Sequence, residues 1–392
     1  MERIIQFGEG NFLRAFVDWM MEPGSVVVVK PRPGKGLENL LSHGCRYNVC
    51  VQGMQAGKVI DEIEEISSIA TAINPYEQYD EYLKLAENPH MQIVVSNTTE
   101  AGIAFDPECK MDDMPALSYP GKLTQLLYHR WKHFEGATDK GLTILPCELI
   151  FHNGTNLRKC IHQYIELWHL DEAFQEWVDT CCPIYNTLVD RIVSGAPTEE
   201  EQAAFEKRLI EERRLKASEV ASLHPIFVKA EPYHLWVIEA SETVKSLLPL
   251  RDADINIVFT NDEHPYHERK VTLLNAPHTV MSAIGTEMGL ETVRDCMLHP
   301  TLGPELQALM REELLPTLLP MGFRQEELES YANDITDRFL NPFLHHRLSS
   351  IRLNAISKCK ARLLPPIERY QQINGRMPEI LIKGLIANVR LG

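Results

Sequence analysis

The chain has 392 residues, 44% hydrophobic and 24% charged, a balance that suits a soluble globular protein with two or three cored domains. Its 55 acidic against 39 basic residues leave a formal net charge of -16, which argues against a nucleic-acid partner. There is no signal-peptide pattern and no apolar run long enough to cross a membrane, so a cytoplasmic protein without a membrane partner is expected. Nine scattered cysteines fit neither a zinc ligand set nor a disulfide framework and read as reduced, partly buried thiols.

The chain opens with a short apolar strand, Arg3 to Phe7, that runs into Gly8-Glu9-Gly10 and then into an amphipathic helix beginning Asn11-Phe12-Leu13-Arg14. In a dinucleotide-binding fold Gly8 makes the tight turn and Gly10 lets the backbone approach a pyrophosphate resting on the helix start. Leu13 stands where the third glycine of that fingerprint belongs, so a plain strand-turn-helix fits the same letters. Val26 to Val29 is a continuous β-branched strand. After it, Lys30-Pro31-Arg32-Pro33 replaces the acidic residue that would accept from a ribose hydroxyl, which on chemistry alone favours a 2′-phosphate and NADP. The acidic stretch Asp61 to Glu65 and Asn74-Pro75 read as helical or irregular connections. Met91 to Val95 is a further buried strand, ending in Ser96-Asn97-Thr98-Thr99-Glu100-Ala101-Gly102, the kind of polar loop a doubly wound sheet presents to a ligand. The cofactor-binding set expected from these segments is Phe7, Gly8, Glu9, Gly10, Asn11 and Phe12 with Ser96, Asn97, Thr98 and Glu100.

A strand over Gly141 to Pro146 delivers Glu148 and the loop His152-Asn153-Gly154. Helical patterns follow over Asn156 to Leu170, Glu172 to Cys181 and Glu199 to Ala217, the last so highly charged that it reads as a solvated surface insertion. Leu235 to Glu239 and Ile255 to Phe259 are short strand candidates, and from Lys270 helices dominate. The fold class is therefore α/β, with a Rossmann-type dinucleotide-binding domain over residues 1–225 and a mainly helical substrate domain over residues 226–392. On a regular helix His278 falls about 80° and Asn275 about 140° from Lys270, so an imidazole, an amide and an amine share one broad face. A lysine on a water-poor face loses its proton more easily and serves as a general base, although a snorkelling lysine and a core histidine would give the same letters.

Taken together, Gln6 to Phe16, Ser96 to Gly102, Leu145 to Ile150 with Asn153-Gly154, Asn186 to Arg191, and Lys270 to His278 with its Lys-x4-Asn-x2-His pattern resemble the long-chain polyol and mannitol dehydrogenase family, in particular its altronate oxidoreductase (tagaturonate reductase) branch. The resemblance implies a metal-independent, NAD-linked enzyme that interconverts a hexonate and its keto acid in hexuronate catabolism. NAD is accordingly preferred to NADP, which Lys30 and Arg32 keep open. Within that chemistry Lys270 is the candidate base, Asn275 and Asn153 are amide donors to the developing oxyanion, and His278 orients substrate. Asp190 matches a position implied to tune protons near the lysine, and an Asp190-Arg191 salt bridge on a helix is the alternative. Arg352 and Lys358 are the candidate cations for the sugar-acid carboxylate. No metal site is expected, because His264 with His267 and His345-His346 lack a second ligand cluster. The protein is expected to be a monomer or small homo-oligomer. A fructuronate, mannonate or free polyol dehydrogenase and a non-catalytic sugar-acid sensor are the competing functions.

Overall fold

The computed structural model describes residues 1–391 apart from 100, 214–215, 217 and 219–224. Seven strands appear before residue 150: β1 (Ile4–Phe7), β2 (Val26–Val29), β3 (Tyr47–Gln55), β4 (Lys58–Ile66), β5 (Ile69–Ile73), β6 (Ile93–Ser96) and β7 (Thr143–Pro146). Five form an all-parallel sheet in the order β5-β2-β1-β6-β7. Every residue of β1, β2, β6 and β7 is buried, the pattern of a sheet covered on both faces, which is why their sequences are continuous apolar runs rather than alternating ones. On one face Phe7, Tyr82, Leu123, Leu157, Phe174 and Trp177 belong to a single core. The helix Tyr119–His133 begins where Ser118 Oγ accepts from Gly121 N at 3.0 Å, so its first turn is satisfied before it enters that core.

Among the described residues five later strands follow: β8 (Thr187–Asp190), β9 (Val193–Gly195), β10 (Phe227–Ala230), β11 (Leu235–Ile238) and β12 (Ile257–Phe259). β10 pairs in parallel with β3, whereas β11 runs parallel to β12 and antiparallel to β8. These pairings move the division of the chain to Glu263 rather than residue 225: one compact unit comprises Met1–Val51, Glu62–Ala230 and His234–Glu263, the other Gln52–Asp61, Glu231–Tyr233 and His264–Gly392.

Several local expectations change. The acidic stretch Asp61 to Glu65 is strand, not helix or loop: it belongs to β4, which hairpins with β3 through Ala56 and Gly57 at φ of 50° and 72°, the left-handed pair that a tight hairpin twist requires. The helix after Gly10 is two single turns, Asn11–Arg14 and Val17–Met20, broken at Phe16, whose ring packs on Phe12 at 5.0 Å and Trp236 at 6.0 Å. The helix expected from Asn156 starts at Asn153 and ends at Leu167. The charged helix is Glu199–Arg213; the rest of its expected length, to Ala217, lies largely outside the described residues. Phe205 and Leu209 on it are buried in a small core with Cys50 and Phe227, so it is docked rather than merely solvated. All nine cysteines are free thiols, eight of them buried.

The second unit is helical, as expected. Its central helix, Ala276–Glu287, is buried at ten consecutive positions and is surrounded by Leu306, Leu314, Ile335 and Leu381, among others. In the same unit the Arg338 guanidinium is committed to Glu231 through bonds of 3.0 and 2.8 Å, both partners being buried. Such a fork-shaped pairing satisfies two charges that would be costly to bury alone.

Candidate active site

In the first unit the turn after β1 is built as the glycine spacing predicts. Gly8 has φ +134°, and a Cβ there would lie 2.9 Å from both Asn97 O and Leu13 Cδ1, so no side chain is tolerated. A Cβ on Gly10, in contrast, would meet nothing within 4 Å. Gly10 and Asn11 are exposed, Glu9 and Phe12 half-buried, and Phe7 buried in the sheet, so the cradle presents backbone and small groups outward. The space in front of Gly10, at the carboxyl end of β1, is thus clear of protein atoms, and a side chain there would take it up. The single-turn helices leave the cradle with less of a helix start than a long helix would offer.

The loop after β6 is tied down from the neighbouring strand. Glu148, just beyond β7 and almost wholly buried, accepts from Ser96 Oγ at 3.0 Å, from Thr98 N at 2.9 Å and from Thr98 Oγ1 at 2.9 Å. Asn97 Nδ2 donates to Cys147 O at 2.6 Å. Burial raises the Glu148 carboxyl above its ordinary pKa, and these hydrogen bonds oppose that rise. Glu148 is the residue whose role the sequence leaves unassigned; the signal was an acidic residue directly after a fully buried parallel strand, where only a neighbouring loop can satisfy it. Glu100 lies outside the described residues.

At the end of β2 the two cations already have acceptors. Lys30 Nζ is 2.7 Å from Glu9 Oε1, and Arg32 Nη2 donates to Thr98 O at 3.3 Å and to Thr99 Oγ1 at 3.0 Å. The Gly8 turn is braced from behind by Gln6, whose Nε2 reaches Gly8 O at 3.1 Å and Asp18 Oδ2 at 3.2 Å. Asp18 is fully enclosed, and desolvation raises its pKa from 3.8 to about 7.

Asn153 requires a correction. Its side chain is fully buried; Nδ2 donates to Pro146 O at 3.0 Å, Glu148 O at 3.1 Å and Thr187 O at 2.9 Å, and Oδ1 accepts from Gly154 N at 2.8 Å and Thr187 N at 2.9 Å. An amide so engaged has no donor for a substrate oxyanion; it fastens the start of the helix Asn153–Leu167 to β8. The close fit is confirmed at Gly154, where a Cβ would sit 2.4 Å from Tyr185 O, so Asn153-Gly154 is a helix start pressed against a strand rather than a surface turn. Asp190 ends β8, a strand and not a helix, and is buried; the adjacent Arg191 donates to Ala15 O at 2.7 Å and lies over the Trp19 ring at 4.2 Å.

In the second unit Lys270 closes the helix His264–Lys270, a π-helical turn spans Val271–Asn275, and the helix Ala276–Glu287 follows. The widened turn has a physical reason: Pro277 lacks an N–H and its ring would strike the carbonyl of Leu273 in a regular helix, and one added residue relieves both. It also corrects the geometry drawn from regular helical spacing. In a π turn residue i+5 stands where i+4 stands in an α-helix, so Asn275 moves from about 140° to about 40° from Lys270, and His278 to about 20° on the other side. Lys270 and Asn275 are half-buried, between them Thr272 to Leu274 are buried, and His278 is 8% exposed.

The His278 ring lies 5.0 Å from that of His346 and 4.5 Å from that of Phe339. His346 is held below the ordinary imidazole pKa by burial first and by the charge of Lys358 second, which places Lys358 within electrostatic reach of this pair. Lys358 is itself lowered by burial and by Arg362, and its Nζ donates to Ile351 O at 2.7 Å. Arg352 instead donates to Leu391 O at 3.2 Å. Near Lys270, Glu268 is paired with Arg369 at 2.9 Å and its pKa falls to about 2, mainly through a hydrogen bond with His267. Arg369 also reaches Thr272 Oγ1 at 3.0 Å. Among the described residues no helix is long and apolar enough to cross a membrane.

Two family models match, the mannitol dehydrogenase Rossmann domain over residues 2–252 and the mannitol dehydrogenase C-terminal domain over residues 262–390. The chain belongs to the mannitol dehydrogenase family. It is thus an oxidoreductase that uses a nicotinamide dinucleotide, and the Rossmann-domain match spans the turn after β1. The chain is 48% identical to a protein named altronate oxidoreductase from Phocaeicola vulgatus, over 98% of its own length and 79% of the relative's. It is 38% identical to one of the same name from Bacillus subtilis, over 97% and 78%. Two solved dehydrogenases share the fold at 21% identity: a Pseudomonas fluorescens mannitol 2-dehydrogenase, described as a ternary complex with NAD and D-mannitol, with a TM-score of 0.67 over 99% of this chain and 78% of that one, and a D-sorbitol dehydrogenase with a TM-score of 0.79 over 99% and 80%.

Proposed function

We propose that this member of the mannitol dehydrogenase family interconverts D-altronate and D-tagaturonate with NAD, using Lys270 as general base and no metal in the chemical step. The observation that supports this reading is the π turn over Val271–Asn275, which by helical geometry narrows the angles between Lys270, Asn275 and His278 to a few tens of degrees. When bound, the nicotinamide accepts or returns the hydride of the secondary alcohol. Lys270 takes the hydroxyl proton, and the Asn275 amide donates to the oxygen as negative charge develops, without competing for that proton. His278, packed against Phe339, orients a neighbouring hydroxyl.

Two further features support the finer assignments. The preference for NAD follows from the acceptors held by Lys30 and Arg32: a 2′-phosphate would have to displace Glu9 from one and Thr98 and Thr99 from the other. The preference for a sugar acid over a plain polyol is supported by Lys358, whose charge acts on His346, the ring packed against His278; Arg352 is the weaker candidate because its Nη2 already donates to Leu391 O. Asp190 is retained as a residue that tunes the site from the end of β8.

The deciding experiment is Lys270→Met assayed with altronate and NAD, alongside NADH binding. Turnover is expected to fall by at least about a hundredfold with NADH affinity unchanged, because general-base catalysis is worth roughly 100- to 10,000-fold. Retained turnover at neutral pH would remove Lys270 from the chemistry.

A further inference from the structure

Three segments of the first unit converge at one point. β11 and β12 run in parallel, and Glu239 and Glu263 follow their respective carboxyl ends. His152 precedes the helix Asn153–Leu167 and holds a left-handed backbone at φ 54°. One ligand atom from each of the three side chains lies within 4.8 Å of the others. His152 Nδ1 and Glu263 Oε1 are 3.7 Å apart, too long for a hydrogen bond and near the span of about 3.4 Å between two ligands that share an ion at about 2.1 Å from each. Glu263 is 2% exposed, His152 is open to solvent, and Glu239 is held by Asn186 Nδ2 at 3.3 Å. Asn186 in turn accepts from Thr155 N at 2.9 Å, so one carboxylate of the cluster is oriented by an outer layer of hydrogen bonds, as metal-binding carboxylates are.

We propose that His152, Glu239 and Glu263 form a binding site for a first-row divalent cation, with remaining positions open to water or an oxygen ligand. One imidazole and two carboxylates balance a 2+ charge, and the nitrogen ligand selects manganese or zinc over magnesium or calcium. The ion joins the ends of β11 and β12 to the start of the helix Asn153–Leu167. The proposed lysine-base reaction routes no step through the ion.

The test is titration of Mn²⁺ into chelator-treated full-length enzyme, read by electron paramagnetic resonance, with Zn²⁺ as competitor. Manganese avoids the thiol chemistry that Cys181, half-exposed, offers to zinc. One Mn²⁺ per chain is expected, displaced by one equivalent of Zn²⁺. His152→Gly, which suits the left-handed backbone and removes the ligand, and Glu263→Gln should each weaken binding by about 100-fold. His152 is exposed, so its variant keeps the test sound if Glu263→Gln fails to fold. Absence of stoichiometric binding of either ion, or equal affinity in His152→Gly and the parent, would overturn the assignment, whatever the outcome with Lys270→Met.

Discussion

Replacing Asn153 by alanine should destabilise the first unit rather than disable a poised catalyst. The amide makes six hydrogen bonds in a fully buried position. After truncation the carbonyl of Pro146 still receives Thr187 Oγ1 and that of Glu148 still receives Ile150 N, so neither is stranded. The N–H groups of Gly154 and Thr187 lose Asn153 Oδ1, and a buried unsatisfied donor costs about 1–3 kcal/mol, so the pair accounts for roughly 4 kcal/mol. In a unit of this size that lowers Tm on the order of 10 °C. Asn153→Asp, which keeps the acceptor and loses the donors, should fall between alanine and the parent. Thermal melts of the three proteins, with and without NADH, measure the effect. A Tm within about 2 °C of the parent together with a large loss of turnover would refute the reasoning, because it would mean that the amide is spare in the resting enzyme and serves the substrate.

The remaining predictions concern charge. Asp18 has its pKa raised from 3.8 to about 7, so the folded chain binds the extra proton between those values; its contribution is fully present at low pH and is lost as pH rises through about 7. Asp18→Asn should therefore gain stability over the parent between pH 5 and pH 8, by about 3 kcal/mol, and a pH-independent difference in paired urea titrations would contradict this. Glu9→Gln frees the Lys30 ammonium and should improve kcat/KM for NADP relative to NAD by about tenfold, the worth of one charge-assisted hydrogen bond; an unchanged ratio would place the adenosine ribose elsewhere. Lys358→Gln should raise KM for the hexonate by roughly 10- to 100-fold while sparing a slowly turned-over polyol, and Arg352→Gln should do neither. Equal effects of Lys358→Gln on both substrates would deny it the carboxylate.

Much of the first unit is legible in the chain because burial on both faces of a parallel sheet leaves unbroken apolar strands. Val26 to Val29 and Met91 to Val95 announce themselves for that reason, as does the strand into Gly8. β4 does not, because a largely exposed strand carries Asp61 to Glu65 without penalty and its charge resembles a surface connection. The family resemblance likewise lies in local motifs, and these survive in the structure as a turn, a helix start and a helical rod.

Only the tertiary structure decides what each polar group has left to offer. Lys30 and Arg32 are cations by sequence, but in the fold Glu9, Thr98 and Thr99 already accept from them, so their charge is not free as the sequence alone suggests. Asn153 is an amide by sequence, but Pro146, Glu148, Thr187 and Gly154 engage all of its hydrogen-bonding groups. The line formed by Lys270, Asn275 and His278 depends on a π turn that periodicity at regular helical pitch cannot register. His152, Glu239 and Glu263 are separated by up to 111 residues along the chain and meet only because β11 and β12 end side by side. Local periodicity encodes which residues are buried; hydrogen-bond capacity and charge are shared out between segments distant in sequence, and that allocation exists only once the chain has folded.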